Sequence, residues 1–172
     1  MLVYNQAFDV YHCVYRMVSI LSYFDRGDSV ELDRLRIWDY YFLFPHEVQQ
    51  IRLKRDEKDI KALIQNVIKA KENPYNQLID GRKVFEKIRP YQMNALKCLV
   101  SYGIINSDYL TTNRIQKVSP ELLKKHEERF VKMKETERNV MKLMTSHFYL
   151  MSMYGDYGLK QRTGLLEYKY DA

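Results

Sequence analysis

Val10, Val14, Met17, Leu21 and Phe24 recur every three or four residues, a spacing that predicts a first helix over about residues 7–24. Tyr11, Tyr15 and Ile20 widen that stripe, so burial on more than one side is expected. Asp25-Arg26-Gly27-Asp28 reads as a turn. Leu32, Leu35, Trp38 and Phe42 then mark one face of a second helix, capped by Ser29 or a neighbour and stopped by Pro45. Its other face is expected to carry Asp33, Arg36 and Tyr40, and PHEVQQIRL starts a short further helix. From Lys54 to Lys71 a stripe of Ile60, Leu63, Ile64, Val67 and Ile68 in a charged background predicts a surface helix, broken by Asn73-Pro74-Tyr75-Asn76.

Over residues 82–118 the pattern predicts a short helix ending near Ile88 before Pro90. A second helix follows with Met93, Leu96, Leu99 and Val100, closed by Gly103. Ile104-Ile105 and RIQKV then read as a small hairpin. Two helices and a terminal ribbon suggest a winged-helix-like unit, although YGII after an amphipathic helix also fits other α+β domains. Ser119-Pro120-Glu121 supplies a capping hydroxyl, a proline at the first helical position and an acid at the positive dipole end. No breaker follows before Tyr154, so one long helix is predicted, closed by Gly155. Its seam runs through Leu122, His126, Phe130, Met133, Glu137, Val140, Met144, His147, Met151 and Tyr154. Its second half, VMKLMTSHFYLMSMY, is apolar nearly all round and belongs inside something, either its own fold or a partner.

The fold class read from these elements is mainly α: a helical domain with a winged-helix-like unit bearing a small β-hairpin, then one long C-terminal helix and a docked tail. Residues 1–118 and 119–172 are its two parts, expected to form one folded unit. At 172 residues, 46% hydrophobic and 29% charged, the chain can bury a core without staples and falls in the soluble globular class. No apolar run nears the roughly 20 residues that cross a bilayer. The start has no basic segment ahead of an apolar one, so no secretory signal is expected. Cys13 and Cys98 have neither metal nor redox spacing and read as reduced thiols of a cytosolic protein. Tyrosine supplies 15 of the 23 aromatic residues, which suits interfaces and semi-wet cores alike.

Candidate chemistry is sparse. The six glycines form no phosphate loop, and the four histidines lie far apart, His126-Glu127 lacking the second histidine of a zinc-protease helix. Asp33 and Asp39, six residues apart, fall on different helical faces and suit no shared acid–base work. No serine has a nucleophile-elbow context, and Cys98 sits in a helical stripe. The expectation is a protein without catalytic, cofactor or metal site. The net charge of +6 permits nucleic-acid contact. Arg82, Lys83, Lys87, Arg89, Lys97, Arg114 and Lys117 form the candidate DNA-binding set, with Tyr91 or Tyr109 as helpers. The same residues also read as a solvated face balanced by Glu86, Asp80 and Asp108, and winged helices mediate protein contacts too.

Gly155, Gly158 and Gly164 allow tight backbone paths before a tail rich in apolar and aromatic residues. A tail of that kind is expected to dock, as a strand on its own fold or on another chain. The candidate partner-binding residues are Met144, Phe148 and Met151 of the long helix with Arg162, Leu165, Leu166, Tyr168 and Tyr170 of the tail. AFDVYHCVYRM at the start, DRLRIWDYYFLFP in the second helix and GLKQRTGLLEYKYDA at the end resemble the middle component of bacterial ABC three-component systems. These are similar in organisation to Lamassu-type anti-phage defence, combining an SMC-like or Rad50-like ATPase, a variable effector and a small helical, winged-helix-like middle protein. The resemblance implies a cytoplasmic accessory subunit that bridges or restrains ATPase and effector, takes no cofactor, and meets duplex DNA, if at all, through the complex. The Trp38-Tyr40-Tyr41-Phe42-Phe44 wall is then expected to pack beneath the winged helix and the tail. Arg34, Arg36 and Asp39 would fix the helix against neighbouring backbone or carboxylates.

Overall fold

A computed structural model of the chain describes residues 5–68, 80–128 and 132–168. Asp9 opens α1 (Val10–Tyr23) by accepting the His12 amide at 2.8 Å, an N-cap that satisfies one of the helix's free donors. Burial on more than one side holds, with Cys13, Val14, Met17, Val18, Ile20, Leu21 and Arg16 buried, but of the residues expected to widen the stripe Tyr15 is half-buried and Tyr11 is exposed. The chain then enters β1 (Ser29–Glu31) and passes directly into α2 (Leu32–Leu43), which ends before Pro45 as expected. A 3₁₀ helix of six residues covers Pro45–Gln50, and α3 spans Lys58–Val67 with Ile64 facing inward.

Ser29 therefore does not cap α2. Val30 is buried between two half-buried neighbours, the period-two pattern of a strand, and the cap position falls to Glu31. β1 pairs antiparallel with β2 (Arg114–Gln116), Val30 opposite Ile115. On its far side β2 is joined by the predicted hairpin partner: Ile105 bridges Lys117, and the Asn106 amide donates to the Gln116 carbonyl at 2.9 Å. A short helix, α5 (Tyr109–Thr112), occupies the hairpin's connection, followed by Asn113 in the left-handed region at φ 53°.

Two predicted boundaries are corrected. α4 (Gly81–Ser101) is one helix of 21 residues that runs through Pro90. Pro90 is exposed, so the hydrogen bond it cannot donate is lost on the solvent side. Phe85, Ile88, Gln92, Ala95, Leu96 and Leu99 keep one unbroken buried stripe beneath it, packed on α1. The single long helix after Ser119 is instead two. α6 (Pro120–Glu127) has the predicted cap, Ser119 accepting the Leu122 amide, whereas Lys134 is extended and α7 starts at Glu135 (Glu135–Leu143). Glu137, the break in the predicted seam, closes back on the Lys134 amide at 2.8 Å as a first-turn acid of the new helix. α6 packs on α1, and α7 on α1, α2 and α3. Phe130 lies outside the described residues. A π-helical turn, Met144–Phe148, follows α7; Gly155 lies beyond it in a loop, and α8 spans Leu159–Thr163.

α2 is the centre of the molecule. Ten of its twelve residues are buried, and α1, α4, α7 and the strands all pack against it. Tyr40 meets Tyr41, Phe44 and Phe85 with ring centroids 5.1–5.9 Å apart, and Tyr15 meets Phe42 at 5.9 Å, so the aromatic wall is core.

Candidate functional site

Four arginines, Arg16, Arg34, Arg36 and Arg162, spend their guanidinium groups inside the protein. Arg16, fully buried, donates from Nε and Nη2 to the two oxygens of Asp39 at 2.6 and 3.2 Å, and from Nη1 to the Gln6 carbonyl. Burial opposes the Arg16 charge and Asp39 restores it, leaving the guanidinium above its ordinary range. Its Nη1 also lies 2.8 Å from His12 Nδ1, which must accept; burial first and Arg16 second hold His12 below its usual value. Gln92 of α4 completes the cluster, donating to Asp39 at 2.9 Å and to the Arg36 carbonyl, and accepting from Arg36 Nε at 3.0 Å. Each partner offers Asp39 a donor, and Cys13 is pushed well above the ordinary thiol range by burial, so the cluster fastens α1, α2 and α4 together and holds no activated nucleophile. Among the described residues no group of His, Cys, Asp and Glu is placed to hold a metal ion.

Arg34, also on α2, donates to the Phe148 and Met151 carbonyls at 2.9 Å each and to Glu31. Arg162 of α8 forks onto Glu57 at 2.7 and 2.9 Å and donates to the Arg52 and Tyr157 carbonyls. That pairing holds the Glu57 carboxyl below its usual range. Glu57 is the one carboxylate, among the described residues, lining a cleft of about 1020 Å³ between α3 and residues 49–57, whose floor is Ile51, Ile64 and Ile68.

Between these two anchors runs the loop 149–157. Leu150, Tyr154 and Tyr157 project from it with 73%, 44% and 53% of their surface exposed. Tyr157 sits at φ 60°, a strained setting for a bulky residue. It is held there by Gln161 accepting its amide and Arg162 binding its carbonyl, with the Lys54 ammonium 5.0 Å from the ring centroid. Lys160 lies similarly 4.7 Å over Tyr154. Arg34→Ala should remove both carbonyl anchors of the loop's start and cost about 2–4 kcal/mol, since each bond comes from a charged donor. Hydrogen exchange should rise over residues 148–157 and nowhere else to the same extent; unchanged exchange there would show that Arg34 is not the clamp.

Of the residues expected to bind partners, Met144, Phe148, Arg162 and Leu165 are buried in the chain's own fold. Met151, Leu166 and Tyr168 are half-buried, and Tyr170 lies outside the described residues. Through residue 168 the tail docks on its own chain, as a turn and not as a strand: Gly164 closes α8 at φ 64°, Leu165 packs near Gly81, and Glu167 pairs with Arg82 at 3.2 Å. Of the predicted DNA-binding set, Arg82, Lys83, Lys87, Arg89 and Lys97 stand exposed along α4. Arg114 bonds Ser29 across the strands, and Lys117 is drawn 2.8 Å onto the Phe24 carbonyl, burial lowering its pKa. Sequence reasoning passed over Arg16 and Gln92; each is a polar residue set in an apolar helical stripe, which is the signal that could have marked them.

Among the described residues no helix is long and apolar enough to cross a membrane. No curated protein and no solved structure gives a match. The family model for the ABC-three component (ABC-3C) system Middle Component 5 matches residues 2–171. Covering nearly every residue from the first helix through the aromatic wall to the tail, that match places the chain in the ABC-3C Middle Component 5 family.

Proposed function

We propose that this protein is a non-enzymatic, cytoplasmic accessory subunit that joins an SMC-like or Rad50-like ATPase to its effector in a bacterial anti-phage or anti-plasmid system. A middle component of a three-component system has partner proteins, and the observation that carries the reading further is the 149–157 loop. Most buried polar side chains close on one another, yet three large apolar or aromatic side chains are held out in water on a backbone pinned by Arg34 and Arg162. Rigid, exposed aromatic residues are what an interface core uses as anchors, because little conformational freedom is lost when they are covered. Half-buried Met151 lies beside them, and half-buried Leu166 and Tyr168 extend the candidate surface along the tail.

The test is co-expression of the full chain with the other two components of its own system and measurement of what co-purifies. Leu150→Asp with Tyr154→Ala should leave the subunit's own melting curve in place, since both side chains are exposed, and reduce recovered complex at least about tenfold. Undiminished complex would remove the loop from the interface. A second reading, a winged-helix DNA-binding regulator, is favoured by the strand arrangement: β1 follows α1, residues 104–106 and β2 follow α4, and β2 lies between the other two segments. It requires selection of one duplex sequence over another.

A further inference from the structure

The exposed side of α4 has a different chemistry from the loop. Arg82, Lys83, Lys87, Arg89 and Lys97 lie on it with Glu86 as the helix's one acid, and all five cations are exposed. At 100° per residue they fall within a single arc opposite the buried stripe of Phe85, Ile88, Gln92 and Leu99. Residues 82–117 hold seven basic and two acidic residues, a surplus of five within a chain whose net charge is +6. Arg82 and Lys83 have exposed ion pairs with Glu167 and Asp80. Among the described residues no ion pair holds Lys87, Arg89 or Lys97, and Arg89 is near enough to Arg36 to oppose its charge. Like charges gathered this way repel one another unless a polyanion neutralises them.

We propose that this face of α4 docks the phosphate backbone of duplex DNA without reading its sequence. From Lys83 to Lys97 it spans about 21 Å, alongside which a duplex presents roughly a dozen phosphate charges. The face lacks what a protein interface core needs: its one exposed apolar residue is Pro90, and Tyr91 is turned aside against Phe8 at 5.6 Å. Only one outward side chain, Asn94, is of the type that reads adenine, since Gln92 points inward. The site is separate from the 149–157 loop and stands whether or not that loop carries the partner proteins.

The experiment is fluorescence anisotropy of the full chain with a labelled 20-base-pair duplex, at salt concentrations from 50 to 200 mM. Binding should fall with a slope of log affinity against log salt of about −3 to −5, and a shuffled duplex should bind equally. Substituting Lys87→Ala, Arg89→Ala and Lys97→Ala together, all on solvent-exposed positions, should leave the melting curve unchanged. It should flatten the slope by about 2–3 and weaken binding at 50 mM salt by at least about 30-fold. Absence of binding at 50 mM salt, unchanged affinity of the triple variant, or strong preference for one sequence would each overturn the proposal. So would a triple variant that keeps DNA binding but loses the other two components, which would make this face a contact for an acidic protein.

Discussion

Asp39→Ala should destabilise the protein by about 3–5 kcal/mol, the effect of removing one partner from a buried ion pair. Arg16 Nε and Nη2 and Gln92 Nε2 all donate to the Asp39 carboxylate, and both charged side chains are fully buried. The alanine variant leaves a guanidinium inside the core with only the Gln6 carbonyl and His12 Nδ1 still in reach. For a chain of this length the midpoint of thermal unfolding should drop by roughly 6–20 °C. The double variant Asp39→Ala with Arg16→Met separates this account from simple loss of packing. Removing the stranded charge should recover a good part of the stability, so the two substitutions are strongly non-additive. A thermal midpoint for Asp39→Ala within 2 °C of the parent, or strict additivity in the cycle, would show that the pair is not what fastens α1 to α2.

That network marks the boundary of what the sequence could disclose. Periodicity located α1, α3 and the start of α6, because each is set by neighbours within one or two turns. The aromatic wall was legible for the same reason, and its flanking charges were expected to fix α2. Arg34 and Arg36 do so, but their partners Phe148, Met151 and Gln92 lie 56–117 residues away. Pro90 misled because a helix tolerates proline where the lost bond faces water and the buried stripe continues, conditions set by tertiary packing. The break before α7 was hidden because Lys132-Met133-Lys134 contains no breaker, and α6 and α7 both present apolar residues to the same core, so the seam persists across the gap. Ser29 suits a cap by type, and only its pairing with Gln116 across the sheet makes it part of a strand.

The interaction surface was half legible on similar grounds. VMKLMTSHFYLMSMY is apolar nearly all round, which says that it is covered without saying by what. The fold divides it: Met144 and Phe148 go into the core, whereas Leu150 and Tyr154 stay outside once the helix yields to the loop after Phe148. Hydrophobicity alone cannot draw that line, because it is drawn by Arg34 capturing two carbonyls from a helix 114 residues earlier. The basic residues of α4 show the reverse case. Their common face follows from helical spacing, but the spacing becomes usable only when Pro90 is known not to divide the helix.

Trp38→Ala should cost about 3–5 kcal/mol, in the range for emptying a large aromatic site in a well-packed core. Trp38 is fully buried on α2, with ring centroids 5.5 Å from Phe24 at the end of α1 and 6.4 Å from Tyr149 at the start of the exposed loop. Phe24 and Tyr149 also meet at 5.0 Å, so the three rings join two helices to the loop. The indole N–H has no hydrogen-bond partner among the described residues, and a buried donor left unmade is itself unfavourable. Trp38→Phe therefore removes volume and an unmet donor together, and should cost less than half as much as alanine. Because this is the chain's one tryptophan, unfolding of both variants is followed by far-UV circular dichroism in urea. The midpoint should fall in the order parent, phenylalanine, alanine, with the slope unchanged. The alanine variant should also bind the other two components less well than Trp38→Phe at a temperature where both are folded, since it removes the ring on which Tyr149 rests. An alanine variant that unfolds at the parent's urea concentration would take the aromatic wall out of the core, and with it the support on which the loop is held.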